Sequence, residues 1–450
     1  MAARGASVFC WQSACGRATI RRVRGSWVES FAVLRDRQFR LLWLGQLISS
    51  LGDGLVPLAL TFAVLDLTGS AADLGLVFAA FMGARVVFML AGGVWSDRLP
   101  RQLVMIAADL VRAGAQALVA LAFFTDAVAL WHLIVASVLV GGASAFFGPA
   151  STGLVKTIVR PARLQEANAL INLSQNAIHI FAPVSAGALV VLVGFGPIFA
   201  IDAVTFLASA VCLVAMRLPK RLERPERRSF LAEAREGLGE VLSRTWLWSA
   251  FIVFSISNVT IAMYFVLGPL VVERELGGAS DWGLLLAAGG IGGVVGSTIA
   301  LRYRPARPLI PAFLLMVFVS AQLLALIPPL PVAALMVAAV LAVASIAIGN
   351  ALWDTMLQQH IPARSISRVS SLDWMISLVF MPLGYVVAGP LAEAIGLDLT
   401  LALAAGLGLL ANLSLLLVPS VRNLRRVEHP AEPLDLEPVA KPPVPVGQTS

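Results

Sequence analysis

Long apolar runs, separated by short polar segments, recur along most of this chain. An α-helix rises about 1.5 Å per residue, so about 20 mainly apolar residues are enough to cross the hydrocarbon core of a bilayer. Twelve runs reach that length: 39–65, 73–95, 102–125, 131–155, 165–193, 197–217, 246–272, 281–301, 308–328, 331–359, 365–394 and 398–418. The pattern predicts an all-α, polytopic membrane protein with twelve transmembrane helices.

Basic residues are concentrated in every second loop between these runs. The even-numbered loops contain Arg98, Arg101, Lys156, Arg160, Arg163, the segment from Arg217 to Arg244, Arg302, Arg304, Arg307, Arg364 and Arg368. The basic residue of the odd-numbered loops is Arg274. Because cytoplasmic loops of membrane proteins retain Lys and Arg, we expect a multi-pass protein of the inner or plasma membrane with both termini in the cytoplasm.

The composition excludes an ordinary soluble globule, since 58% of the residues are hydrophobic and 13% are charged. A net charge of +7 could suggest a nucleic-acid partner. The basic residues lie beside apolar spans, however, which favours lipid headgroups and argues against nucleic acid. The chain contains no Walker motif, metal-ligand cluster or catalytic triad pattern. We therefore expect no cofactor, no metal and no enzymatic activity, with energy supplied by an ion gradient.

The runs divide the chain into five regions. Residues 1–38 form a basic cytoplasmic arm, 39–217 and 246–418 each form a predicted six-helix bundle, and 419–450 form a Pro-rich cytoplasmic tail predicted to be disordered. Between the bundles, 218–245 mixes charged residues with spaced apolar ones. This pattern is typical of an amphipathic helix on the inner membrane surface.

The two predicted bundles share an internal repeat. The segment Ser70–Ala80, which opens the second span, matches Gly278–Ala288, which opens the eighth. A second match relates Pro161–Arg163 to Pro362–Arg364. Matching positions fall at the same places relative to the spans, which indicates two pseudo-symmetric bundles. Such repeats are the signature of a transporter with its substrate site at the repeat interface, a symmetry that a membrane enzyme or receptor does not need.

The end of the second span carries a motif, Gly93–Arg101, that resembles the loop-two signature of the major facilitator superfamily. The resemblance implies a conformational gate in which an aspartate holds a partner helix end and basic residues bind carboxylates or headgroups. Its members here are Gly93, Asp97, Arg98 and Arg101. The chain departs from the signature at Pro100, where glycine is usual, and at Gln102, where a basic residue is common.

A narrower resemblance is to the enterobactin-exporter and macrolide-efflux branch of that superfamily. It rests on Phe31–Gln46, Asp109–Arg112, Ala167–Leu170, Ile201–Phe206 and Phe230–Gly237. The resemblance implies a proton-driven exporter that works as a monomer. The antiporter motif expected in the fifth span is only partly matched by Ala182–Gly187, which retains its proline and one glycine.

Ionisable residues inside predicted spans are costly, so each requires a reason. Asp53 in the first span and Arg85 in the second lie at matching depths and could form a pair. Asp53 is a candidate proton carrier, because neighbouring glycines and Pro57 suggest a helix that can flex, and Arg85 is a candidate for proton coupling with it. The alternative is a static ion pair that positions helices.

Asp109 and Arg112 lie one helical turn apart in the third span and could bond to each other. They are candidates for proton coupling, and a structural role for them is the favoured alternative. Asp202 is expected near the outer end of the sixth span as a helix-end residue.

Polar residues recur on one side of the fifth span, where lipid exposure would be unfavourable. Candidate substrate contacts there and elsewhere are Gln46, Asn172, Gln175, Asn176, His179, Asn258 and Tyr264. Asp354 and Asp373 flank a basic cytoplasmic turn and could complete a gate or form a structural bridge.

The sequence therefore predicts a secondary active transporter that exports a small amphipathic compound, similar to a drug, macrolide or siderophore, in exchange for protons. Its expected partners are membrane lipids, protons and the substrate. Two alternatives remain: a dedicated metabolite or siderophore exporter or importer of the same fold, and a transporter-like sensor or scaffold that works through the tail.

Overall fold

The computed structural model of the chain describes residues 32–96, 100–160, 163–217, 238–362 and 365–427. The described residues are predominantly helical, and eleven helices are long and apolar enough to cross a membrane. A shorter apolar segment, Leu309–Leu324, occupies the place of the ninth predicted span. These findings confirm the all-α, polytopic class, while the count of twelve spans stays a prediction.

Within the part of the chain that the structure describes, eight long helices come first. They are α1 (Arg37–Thr68), α2 (Ala71–Ser96), α3 (Arg101–Phe124), α4 (Leu130–Ile158), α5 (Leu164–Val193), α6 (Phe195–Val214), α7 (Thr245–Glu275) and α8 (Ala279–Arg302). The remaining helices are α9 (Leu309–Leu314), α10 (Val317–Leu324), α11 (Val332–His360), α12 (Ile366–Val379), α13 (Met381–Ile395), α14 (Leu397–Ser414) and α15 (Pro419–Arg422).

Two predicted spans are divided into shorter helices. Between α9 and α10, the amides of Phe318 and Val319 bond to carbonyls three residues earlier, so the helical pattern tightens there. Between α12 and α13 the break lies at Phe380, just before Pro382. Proline lacks the amide that would continue the ladder, so the interruption follows from local chemistry.

Turn glycines occur at equivalent places in the two halves of the sequence. Gly194 separates α5 from α6 with φ 77°, and Gly396 separates α13 from α14 with φ 91°. A side chain is disfavoured at these values, because they lie in the left-handed region that glycine tolerates. The shared geometry supports the sequence repeat.

The helices form two units. The first contains the described residues up to 217 together with Pro269–Ala287, and the second contains 238–268 and the described residues from 288 onward. In the first unit α1 packs on α5 and α6, α2 packs on α4, and α3 packs on α4 and α6. In the second, α11 packs on α9 and α10, and α10 also packs on α14.

Each unit has an apolar cluster that fixes its helices. In the first unit the cluster includes Phe39, Met105, Leu154 and Leu213. In the second unit an aromatic cluster joins Trp246 to Trp353, with ring centroids 5.5 Å apart. The arm, most of the linker and the Pro-rich tail predicted from the sequence lie largely outside the described residues, so those boundaries stay predictions.

Candidate functional site

A buried guanidinium lies at the centre of the first unit. Arg112 of α3 forms an ion pair through Nη2 with Asp109, one turn earlier on the same helix. Its Nη1 lies 3.5 Å from Oδ2 of Asp53 on α1. A single cation therefore joins two carboxylates from two helices, and the pairing of Asp109 with Arg112 expected from their spacing is present.

Two aromatic rings fix the Arg112 guanidinium. Its Cζ lies 4.4 Å from the ring centroid of Phe147 on α4 and 4.3 Å from that of Phe206 on α6. Cation–π contacts of this kind gain strength where water is excluded. The guanidinium is thus held by α4 and α6 while its N–H groups bond to carboxylates.

The members of this cluster differ in exposure. The side chain of Asp109 is 0% exposed and that of Arg112 is 4% exposed, whereas 43% of the Asp53 side chain is accessible. Asp53 is therefore the carboxylate through which a solute or a proton can reach the cluster.

The glycines beside Asp53 serve for close packing. A Cβ at Gly54 would lie 2.6 Å from the Cβ of Ala182 on α5. A Cβ at Gly52 would overlap the side chains of Asp202 and Thr205 on α6. α1 is continuous through this segment and includes Pro57. The glycines therefore allow tight contact on both sides of α1, and flexing of this helix stays a prediction.

Asp202 is buried and lies inside α6, not at its end, so its assignment as a helix-end residue was wrong. Its side chain is fully buried, and its Oδ2 accepts a hydrogen bond of 2.8 Å from Nε2 of Gln116 on α3. The sequence carried a usable signal, because Asp109, Arg112 and Gln116 share one helical face. Gly52 of α1 has no side chain and therefore leaves room for Asp202 beside α1.

Arg85 does not form the expected ion pair with Asp53, whose ion-pair partner is Arg112. The Arg85 side chain is exposed on α2, although it is close enough to attract the Asp53 carboxylate electrostatically. Asp53 and Arg85 lie at matching depths along their helices, which is necessary for pairing. Depth does not determine, however, the direction in which each helix presents its side chain.

The polar side of α5 is exposed and does not pack inside the first unit. Its members are Asn168, Asn172, Gln175, Asn176 and His179. α5 instead uses Ser174, which accepts a bond from Nε1 of Trp43, and Ile178 and Ala182, which pack on Gly54. The amides and the imidazole are therefore available to a solute, and their role in binding stays a prediction.

The other predicted substrate contacts have partners within their own units. Gln46 is buried and donates to the hydroxyl of Ser151. Asn258 donates to the carbonyl of Phe254 at 2.9 Å, one turn earlier. The Tyr264 hydroxyl accepts a bond of 2.8 Å from Gln322. Substrate binding by these three residues also stays a prediction.

Of the predicted gate residues, Asp97 and Arg98 lie outside the described residues, and Gly93 lies within α2. Arg101 donates to the carbonyl of Gly153 at 2.8 Å and to Thr157 at 3.3 Å, which ties the start of α3 to the end of α4.

Gln102, which departs from the resembled signature, has a role in capping. Its Nε2 donates to the carbonyls of Leu213 at 2.6 Å and Met216 at 3.1 Å. These carbonyls lie at the end of α6, where a donor satisfies groups that the helix leaves unpaired. An uncharged amide supplies the bonds here.

In the second unit, Asp373 accepts a hydrogen bond of 2.9 Å from Nε1 of Trp353. Asp354, which follows Trp353 on α11, is exposed. Arg364 lies outside the described residues, so the proposed basic partner of a gate is not described there. No cluster of three or more His, Cys, Asp or Glu that could hold a metal ion occurs among the described residues.

Many apolar helices, an ionic cluster at mid-span and a polar helix side together define a membrane transport protein. A sequence model of the Major Facilitator Superfamily matches residues 42–379, so the chain belongs to this superfamily and is a transporter.

Two curated relatives are efflux proteins. The multidrug efflux pump Tap of Mycolicibacterium fortuitum is 28% identical over 409 residues, which covers 87% of this chain and 98% of that pump. Macrolide efflux protein A of Streptococcus pyogenes is 23% identical over 367 residues, covering 80% and 91%.

Solved structures share the fold. A bacterial homologue of the human lysosomal transporter Spinster, in an inward-facing and occupied conformation, aligns with a TM-score of 0.66 at 15% identity, covering 87% of this chain and 98% of that one. A bacterial homologue of the iron transporter ferroportin, inward-facing, aligns with a TM-score of 0.65 at 17% identity, covering 84% and 98%. At these identities the comparison establishes the fold alone.

Proposed function

We propose that this protein exports a small amphipathic compound, similar to a drug or macrolide, in exchange for protons by alternating access. The observation that carries the proposal is the ion pair of Asp53 with Arg112, in which the carboxylate is accessible and the guanidinium is buried. The efflux activity in the names of both curated relatives supports export.

The arrangement suits proton coupling because protonation changes one contact and leaves the others in place. When Asp53 binds a proton it loses its charge, and the attraction to Arg112 weakens. Arg112 stays fixed by Asp109 and by the two phenylalanine rings. A substrate that reaches Asp53 can therefore compete with the proton without dismantling the buried part of the cluster.

The proposed orientation places the basic helix ends in the cytoplasm of a bacterial cell. Exposed basic residues at the ends of α4 and α8 and at the start of α5 support it: Lys156, Arg160, Arg163, Arg302, Arg304 and Arg307. Anionic headgroups would bind there. The exposed amides of α5 would line the substrate path, and the protein would work as a monomer.

The test is proton movement in proteoliposomes that contain a trapped pH dye and are challenged with erythromycin, a macrolide, and with ethidium, an organic cation. Wild type is expected to move protons when a compound is added. Asp53→Asn, which removes the charge at nearly constant volume, is expected to lose this response.

Asp66→Asn is the matched control, since Asp66 is an exposed aspartate in the last turn of α1. Its proton movement should equal that of wild type. Transport of either compound by wild type without a change in internal pH would contradict proton coupling. An unchanged response in Asp53→Asn would show that this carboxylate is structural.

A further inference from the structure

Asp202 is a buried carboxyl without a cationic partner among the described residues. The ion pairs of Arg112 are with Asp53 and Asp109. Asp202 instead has two uncharged neighbours, the amide of Gln116 and the hydroxyl of Thr205. A lone ionised carboxylate that is fully buried is strongly unfavourable, so this environment favours the neutral, protonated carboxyl.

The hydrogen bonds of Thr205 indicate where that proton lies. A threonine hydroxyl has one hydrogen to donate, and the contact of 2.8 Å with the main-chain carbonyl of Asp202 uses it. The same hydroxyl oxygen lies 3.3 Å from Oδ1 of Asp202. While the hydroxyl donates to that carbonyl, its oxygen can only accept at Oδ1. A proton on Oδ1, donated to Thr205, fits the contact in that arrangement.

The second carboxylate oxygen is already paired, because Oδ2 accepts from Gln116 at 2.8 Å. A carboxyl that accepts through Oδ2 and donates through Oδ1 therefore fits its surroundings. Opposite Oδ1 lies Gly52 of α1, which leaves room for the carboxyl because it has no side chain.

Charge balance supports the same conclusion. The groups that act electrostatically on Asp202 are Asp53 from α1 and Arg112 from α3. Asp109 shares the same guanidinium, and α5 presents the uncharged Ile178 and Ala182 to α1 at this level. Asp53 also faces the exposed Arg85 of α2. In the buried part of the cluster, Arg112 balances only one of the two carboxylates Asp109 and Asp202, so one bound proton makes that part neutral. Asp109 bonds directly to Arg112, which leaves Asp202 as the site of this proton in addition to the accessible Asp53.

We propose that Asp202 is a second proton-binding site of the transporter, with its proton on Oδ1 toward Thr205, and that the exchange cycle uses two protons. The role of Asp202 in exchange rests on the proposed function, whereas the protonated state of Asp202 can be tested by itself. Release of both protons leaves Asp53 and Asp202 ionised beside Arg112, and uptake of two protons restores the starting state.

The first experiment is infrared spectroscopy of the ligand-free protein in lipid vesicles at neutral pH, observing the carbonyl stretch of protonated carboxyls. Asp202→Asn should remove a band, because asparagine keeps the size and the acceptor for Gln116 but has no carboxyl. Thr205→Val should shift the same band to higher frequency, since it removes the acceptor. Asp66→Asn is the control and should leave the band unchanged.

The infrared spectra test whether Asp202 is protonated and whether the proton lies on Oδ1. A spectrum of Asp202→Asn identical to that of wild type would overturn the proposal. A band that Thr205→Val leaves in place would overturn the assignment of the proton to Oδ1. Should Asp202→Asn fail to fold, the shift in Thr205→Val still tests the protonated carboxyl.

The second experiment measures protons moved per ethidium transported in proteoliposomes. The ratio should fall from two in wild type to one in Asp202→Asn. An unchanged ratio would overturn the role of Asp202 in exchange. Absence of proton movement in wild type would instead refute the proposed function, and the infrared band would still decide whether Asp202 holds a proton.

Discussion

The contact between α1 and α6 depends on the absence of a side chain at Gly52, and Gly52→Ala tests it. A Cβ there would overlap Oδ1 of Asp202 and Oγ1 of Thr205 and lie 3.0 Å from the Cα of Asp202. Because one of these atoms belongs to the backbone, rotating the two side chains relieves only part of the overlap. Either α1 moves away from α6 or the Asp202 carboxyl leaves its position.

The expected magnitude follows from three contributions to the free energy of unfolding. Overpacking a well-packed site costs about 1–3 kcal/mol. Displacement of Asp202 also weakens its bond with Gln116, which contributes about 1 kcal/mol. Alanine gains about 1 kcal/mol over glycine in a helix. The balance is a loss of about 1–3 kcal/mol, a change of roughly 5- to 150-fold in the unfolding equilibrium.

Thermal unfolding in lipid nanodiscs, followed by tryptophan fluorescence, measures this loss. Gly52→Ala should unfold at a lower temperature than wild type. Gly114→Ala is the matched control, because a Cβ at that position on α3 meets no heavy atom within 4 Å. It should unfold at the wild-type temperature or above. Equal unfolding temperatures for the two variants would refute the packing of α1 against Asp202.

Two further predictions concern the centre of the cluster and the end of the chain. Arg112→Lys should lower the free energy of unfolding by about 1–2 kcal/mol, since an ammonium cannot lie flat between two rings; thermal unfolding equal to wild type would contradict this. Deletion of 428–450 should leave unfolding unchanged, whereas deletion of 419–450 should lower the unfolding temperature. Val421 is fully buried, and Gln359 bonds both the N–H and the C=O of Val427. Equal unfolding of the two deletions would show that 419–427 is dispensable. A test of the scaffold alternative therefore has to cut after Val427.

The positions of the helices could be predicted well because the bilayer imposes length and composition on every span. The apolar runs lie within or close to α1 to α8, α11 and α14. The divided spans could not be predicted in the same way. Hydropathy is continuous across Leu315 and Met316, where the amides of Phe318 and Val319 change acceptors. Only Pro382, near the other break, is visible in the sequence as a local cause.

The candidate site could be predicted in part. Asp109 and Arg112 follow from helical spacing, because residues three apart share a face. The partner of Asp53 depends on the rotation of α2 and α3 about their axes, which depth along a helix does not determine. The early position of Asp202 in its span suggests a helix-end residue. Its burial instead follows from the close packing of α6 against Gly52, a contact between residues far apart in the chain.

The contacts of Arg112 with the surrounding helices indicate that α1 is the helix that responds to protonation of Asp53. Arg112 belongs to α3 and is held by rings from α4 and α6, so those three helices stay joined when Asp53 becomes neutral. At this level α1 then keeps its contacts through Gly52 and Gly54, which are packing contacts without charge. Protonation therefore weakens the ion pair that joins α1 to α3 among the described residues and leaves the packing contacts intact. We expect loading of the cluster to change the position of α1 before that of α3, α4 or α6.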